Sequence, residues 1–178
     1  RTDVAAGDVI TSANVDSAEE TLKANKARFM TSYVDPSTGI ATIPLPPCFI
    51  GICHVYTTKT IRAFTGFTKV ELYAQPGARM EGEIGKYGNT RFIETVNAKV
   101  FTGGGTASID VYATLILGKY AYGVSRMSGA ALQNIVKPLG SAGSADPLDQ
   151  RETSGWKASL TAVILNDAFM VRIEHARV

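Results

Sequence analysis

Met80-Glu-Gly-Glu-Ile-Gly-Lys-Tyr-Gly-Asn-Thr-Arg-Phe-Ile-Glu-Thr95 is the stretch on which the reading of this chain turns. Glycines at 82, 85 and 88 mark places where the backbone turns with positive φ or is approached closely by another segment. Thr90 to Val96 follows with β-branched and aromatic residues and predicts a strand. The segment reads as a glycine-punctuated lead into a strand, with a helical half before it and a sheet-rich half behind. It carries no nucleophile, metal set or phosphate cradle.

Working backwards, residues 1–14 are small and polar and predict an extended lead-in. Asp16 with Glu19 three residues on resembles a capping box. Ala18, Leu22, Phe29 and Tyr33 then recur at helical spacing, predicting a helix over 16–33 that Asp35-Pro36-Ser37-Thr38-Gly39 stops. Pro44, Pro46 and Pro47 stiffen the next connection, and Phe49–His54 predicts a short buried strand. Thr57 or Thr58 caps a second short helix presenting Ile61 and Phe64, and Pro76-Gly77 signals a turn.

Working forwards, Gly103, Gly104 and Gly105 break the chain. No Lys-Ser or Lys-Thr follows at Walker spacing, which leaves a loop tip and not a phosphate loop. Ile109–Val124 predicts a strand crossing the sheet, and residues 140–149 a small-residue loop. Trp156, Ala158, Leu160, Ala162 and Ile164 alternate with their neighbours, as do Phe169, Val171 and Ile173. With Asn166-Asp167 as a two-residue turn, Ile164 would face Phe169, Ala162 Val171, and Leu160 Ile173. Register decides which face is buried, so this pattern predicts a C-terminal β-hairpin.

Composition narrows the function classes. The chain has 178 residues, 45% of them hydrophobic, enough for one domain or slightly more with a sizeable core. Only 19% are charged, below the usual quarter, which suits a surface with extensive contacts to other chains. The 18 Lys and Arg are scattered and the net charge is +2, without a nucleic-acid footprint. No apolar run reaches the length of a membrane span, and no secretory signal is visible.

Candidate sites are few. Cys48, Cys53 and His54 could offer three zinc ligands, but the fourth would have to be the distant His175, and buried free cysteines explain the pair better. Glu81 and Glu83 would share a strand face as surface carboxylates. Gly82-Glu83-Ile84-Gly85 has the G-x-x-G shape of a KH clamp, yet the acid at its centre would repel phosphate. The titratable groups do not converge, so the pattern predicts no enzyme, no cofactor and no metal.

Taken as strings, LKANKARFMTSYV (22–34), GEIGKYGNTRFIET (82–95), VYATLILGKYAYGV (111–124) and residues 135–176 resemble major capsid proteins of tailed bacteriophages, in the branch typified by large podoviruses and found in prophages. The resemblance runs from about Asp16 to His175. It is carried most specifically by GEIG…RFIET, by KPLGSAG-ADPL-Q and by GWK…ILN…MVRIEH.

The resemblance implies an α+β fold of the HK type. Residues 15–150 would form mostly the axial domain, after the lead-in at 1–14. Residues 151–178 would be a hairpin returning towards the sheet of the peripheral domain. It implies a structural coat protein that self-assembles into an icosahedral shell around DNA, enclosed without sequence-specific binding and without a membrane. It also implies a location in the virion capsid, reached from the host bacterial cytoplasm.

Family members extend further at the N-terminus, where an arm and an extended loop reach neighbouring subunits. This chain alone is therefore expected to stay a monomer or weak oligomer, and the longer chain to form capsomers. Gly103, Gly104 and Gly105 become candidates for subunit contact. The rival readings are a bacterial compartment shell of the same fold and a small nucleic-acid-binding module using the G-x-x-G loop.

Overall fold

Thr11, and not Asp16, starts the first helix. Its Oγ1 accepts from the Asn14 N–H at 3.3 Å and caps α1 (Ser12–Ala24). Val15, Ala18 and Leu22 form the buried stripe of that helix. The helix ends well before residue 33 because Lys26 adopts φ 59° and turns the chain into β1 (Met30–Val34). Phe29, whose spacing had suggested helix, instead packs on Phe49 with ring centroids 4.6 Å apart. The computed structural model describes residues 1–34, 42–74, 79–126, 132–141 and 143–177. The expected turns at 35–39 and 76–77 lie outside them.

The chain continues through β2 (Thr42–His54), α2 (Thr58–Arg62), β3 (Thr68–Lys69), β4 (Glu83–Tyr87), β5 (Thr90–Thr95), β6 (Val100–Phe101) and β7 (Val111–Leu117). Then come β8 (Tyr122–Arg126), β9 (Gln133–Lys137), β10 (Thr153–Lys157), β11 (Leu160–Ile164) and β12 (Met170–His175). The half before the glycine segment is thus not mainly helical. Its 13-residue β2 swallows the proline connection and becomes the centre of the sheet.

Among the described residues the main sheet runs β12-β7-β2-β5-β4-β3, with β1 also on β2 and β6 also on β7. The β2–β5 pairing is parallel, and the other pairs within the sheet are antiparallel. A strand flanked on both sides and covered above and below loses its alternation. That is why Phe49–His54 reads as one apolar run. Phe49, Cys53, Phe92, Ile84 and Ile116 meet Val15 and Leu22 of α1 and Ile61 of α2 in the core. Gly51 makes room for this: a Cβ there would stand 2.7 Å from Cδ1 of Phe92.

The central glycines behave as their spacing predicts. Gly82, Gly85 and Gly88 have φ of 71°, 151° and 57°. At Gly85 the strand bulges against β5, and a side chain would run into the Thr68 carbonyl and the Phe67 ring. Gly88 and Asn89 form the tight turn between β4 and β5. The Glu19 carboxylate of α1 clasps it, accepting from the Asn89 N–H at 2.9 Å and the Thr90 hydroxyl at 2.8 Å. The acid expected in a capping box therefore fastens a helix to a sheet instead.

The chain divides into two compact units, 1–121 with 166–178, and 122–165. The first contains both helices and the main sheet. The second is a ribbon in which β8 pairs with β11 and β9 with β10. The expected C-terminal hairpin does not form. The strand over 160–164 pairs with 122–126, and β12 pairs with β7. Asn166-Asp167, expected as the hairpin turn, instead begins a short 3-10 turn that leads from the ribbon into β12. Alternation marks these segments as strands but carries no information about the partner strand.

Candidate assembly surfaces

The ribbon exposes what a folded chain normally covers. Antiparallel partners send side chains to the same face, so register sorts the residues. Tyr122 pairs with Ile164, and Val124 with Ala162. Tyr122, Val124, Leu160 and Ile164 therefore line one face of the β8–β11 pair, and Leu160 is 73% exposed. In the β9–β10 pair, Val136 opposite Ser154 shares a face with Trp156, which is 77% exposed. Leu139 and Leu148 are also exposed in the segment joining those strands. Exposed apolar residues in such number make these strand pairs a candidate contact surface.

The sheet unit, by contrast, encloses an ion pair together with its hydrogen-bond partners. Glu83, expected as a surface carboxylate, has a fully buried side chain and accepts from Arg91 at two points, Nε to Oε1 at 2.6 Å and the terminal amine to Oε2 at 2.7 Å. Its Oε1 also accepts from the Tyr73 hydroxyl at 2.8 Å and its Oε2 from the Met80 N–H at 2.9 Å. Burial, and next the hydrogen bond to Glu83, raises the Tyr73 phenol far above its ordinary range. No sequence signal marks this site, because residues 83 and 91 meet only through the bulged β4–β5 register. The finding overturns the G-x-x-G reading as well. Those four residues lead into a strand, with the acid turned inwards, and form no exposed clamp.

No family model matches the sequence, and no curated protein matches it. Solved structures do. The capsid of Ralstonia phage GP4 superposes with a TM-score of 0.67 at 15% identity, over 99% of this chain and 49% of that one. The cyanophage Pam1 capsid asymmetric unit gives 0.60 at 16% identity, again over 99% of this chain and 49% of that one. The fold is that of a phage capsid protein. This chain spans about half the length of the capsid chains it matches.

Within this capsid fold the triple glycine is a packed turn. Gly103 donates to the Asp110 carboxylate at 3.0 Å, and Gly105 lies so close to the Val4 carbonyl that a Cβ would approach to 2.6 Å. The N-terminal segment is tied to this loop, with the Thr106 N–H donating to the Val4 carbonyl at 2.9 Å. Gly103 is exposed at its edge, while Gly104 and Gly105 are half-buried.

Both cysteines lie on β2. Both are free and buried, and burial pushes the Cys53 thiol up to about 11, which disfavours the thiolate that a metal or a nucleophilic reaction requires. The described residues contain no group of His, Cys, Asp and Glu arranged to hold a metal ion. His54 packs on Tyr112 at 5.3 Å. His175 lies buried between Thr114 and the Ala176 carbonyl, 2.9 and 2.8 Å away. That carbonyl can only accept, so Nδ1 carries the proton and Nε2 accepts from the Thr114 hydroxyl. Burial holds the imidazole below the usual histidine range.

Proposed function

We propose that this chain is part of the structural coat protein of a tailed phage or prophage, a non-enzymatic subunit whose copies close into a shell around DNA. The observation that carries the reading is the ribbon of residues 122–165, whose apolar faces are open in a chain with a phage-capsid fold. Copies of one chain arranged around symmetry axes can cover such faces repeatedly. In this reading residues 15–150 supply mostly the axial domain, and residues 151–178 return towards the sheet of the peripheral domain. The exposed edge of the Gly103–Gly105 turn meets neighbouring copies. The subunit is made in the host cytoplasm and ends in the virion.

The capsid chains matched are about twice as long, so this chain alone is expected to remain a monomer or weak oligomer. Electron microscopy with light scattering tests the proposal on a chain extended to that length, beside this one. Shells from the longer chain and small particles from this one support it. Replacing both Leu160 and Ile164 by serine should then abolish shells while leaving thermal unfolding of the sheet unit unchanged. A longer chain that stays small when co-expressed with its neighbouring genes would sink the proposal.

A further inference from the structure

One corner of the sheet unit carries three cationic residues, Lys26, Arg28 and Lys119. Arg28 and Lys119 are partners in an antiparallel bridge, the Lys119 N–H donating to the Arg28 carbonyl at 2.8 Å. Directly opposed residues project to the same side, and like charges placed that way repel. Lys26 precedes Arg28 by two residues. None of the three enters an ion pair among the described residues. The adjoining turn carries Asp167, which pairs with none of them, and Glu19 on the helix side is taken by Lys23 and the β4–β5 turn.

The backbone at the same corner is strained twice. The Ala27 N–H reaches the Leu22 carbonyl at 2.9 Å, and the Lys26 N–H the Lys23 carbonyl at 2.9 Å, which is the Schellman ending of α1. Glycine is favoured at the left-handed position of that motif, yet this chain places Lys26 there with φ 59°. Tyr120, in the turn after β7, holds φ 65°, an outlier for a bulky side chain. Its ring is exposed and carries the Lys119 ammonium 5.1 Å from its centroid. Left-handed backbone at non-glycine residues costs free energy and clusters at functional sites.

We infer that Lys26, Arg28, Lys119 and Tyr120 form a contact for the phosphate backbone of nucleic acid. A phosphate polymer offers closely spaced anions to a cation cluster and needs no apolar pocket. Two clefts among the described residues of the sheet unit, about 500 and 460 Å³, are lined by other residues, which disfavours an acidic peptide needing those pockets. The contact is local and independent of base sequence. It gives a nearly neutral subunit one point of hold on enclosed DNA, and so rests on the coat-protein reading for its biological setting.

The test is fluorescence anisotropy with a short DNA duplex and this chain, titrated with salt. Each neutralised phosphate contributes about 0.9 to the slope of log affinity against log salt. Replacing Lys26, Arg28 and Lys119 together by alanine should reduce the slope by roughly 2 to 3 and weaken binding at low salt about tenfold or more. A control replacing the exposed Lys59, Lys69 and Lys86 should leave the slope close to wild type. If the triple variant fails to fold, Arg28→Gln alone, which only relieves repulsion, should reduce the slope by about 1. Equal losses in patch and control variants, no loss in either, or tighter binding of a poly-glutamate peptide than of the duplex would each overturn the inference. Shell formation reads the ribbon and not this corner, so failure here leaves the assembly proposal standing, and the reverse.

Discussion

The sheet unit and the ribbon solve the problem of burial in opposite ways. In the sheet unit even an arginine and a glutamate are closed in, 5% and 0% exposed, with their hydrogen bonds supplied by Tyr73, Met80 and each other. In the ribbon, Trp156 and Leu160 remain about three-quarters exposed. A two-stranded ribbon has no layer of its own to cover either face, and isolated pairs of strands are marginal in water. One region buries its charged pair, and the other leaves its large apolar side chains open. The difference separates residues that hold the fold from residues that, on the proposed function, would hold an assembly.

The sharpest way to break that contrast is to open the sheet unit. Arg91→Leu leaves the Glu83 carboxylate buried without its main partner and should cost about 3–5 kcal/mol in denaturant unfolding. The double replacement of Arg91 and Glu83 by leucines should recover much of that loss; failure to recover would mean that the pair also specifies the bulged register. Next in size, Gly51→Val presses on the Phe92 ring and on Cγ2 of Thr90, and should cost roughly 1–3 kcal/mol by the same measurement.

A pH series probes the sheet unit more gently. The His175 pKa is depressed by burial below its ordinary value of 6.5. The unfolded chain therefore takes up a proton before the folded one. Its contribution to stability is intact above about pH 6.5 and declines as the pH falls below it. Urea midpoints should fall between pH 7 and 5, and His175→Gln should flatten that part of the slope. A slope unchanged by the substitution would move the effect to other groups.

The smallest expected effect sharpens the contrast from the other side. Trp156→Ser on the ribbon should alter unfolding of the sheet unit by less than about 0.5 kcal/mol, because an exposed side chain has little burial to lose. A loss of several kcal/mol would mean that the ribbon is stabilised within the chain after all.

Several elements were legible without coordinates. The strand over 49–54, the short helix carrying Ile61, the strand from Thr90 and the positive φ of the three central glycines all follow from local pattern. The ends of α1 were misplaced because Phe29 and Tyr33 sit at helical spacing, yet Lys26 has already turned the backbone and Phe29 is used to stack on Phe49. The alternation over 160–164 marks a strand, whose partner is 122–126 and not 169–173. Alternation fixes which residues share a face, while pairing between 122–126 and 160–164 spans an insertion that no local signal measures. The candidate surface was only half visible, since the exposed row could be read as apolar but not as uncovered.

By itself, then, the sequence determined the period of each element, the glycine turns, and strings that resemble coat proteins, because these depend on neighbours within a few residues. Tertiary structure alone decided that Glu83 meets Arg91, that Glu19 clasps a turn some seventy residues away, and that Leu160 faces solvent. Such outcomes depend on which distant strands come to lie side by side. A pattern with period two or 3.6 carries the side on which a residue lies, and not the identity of what covers it.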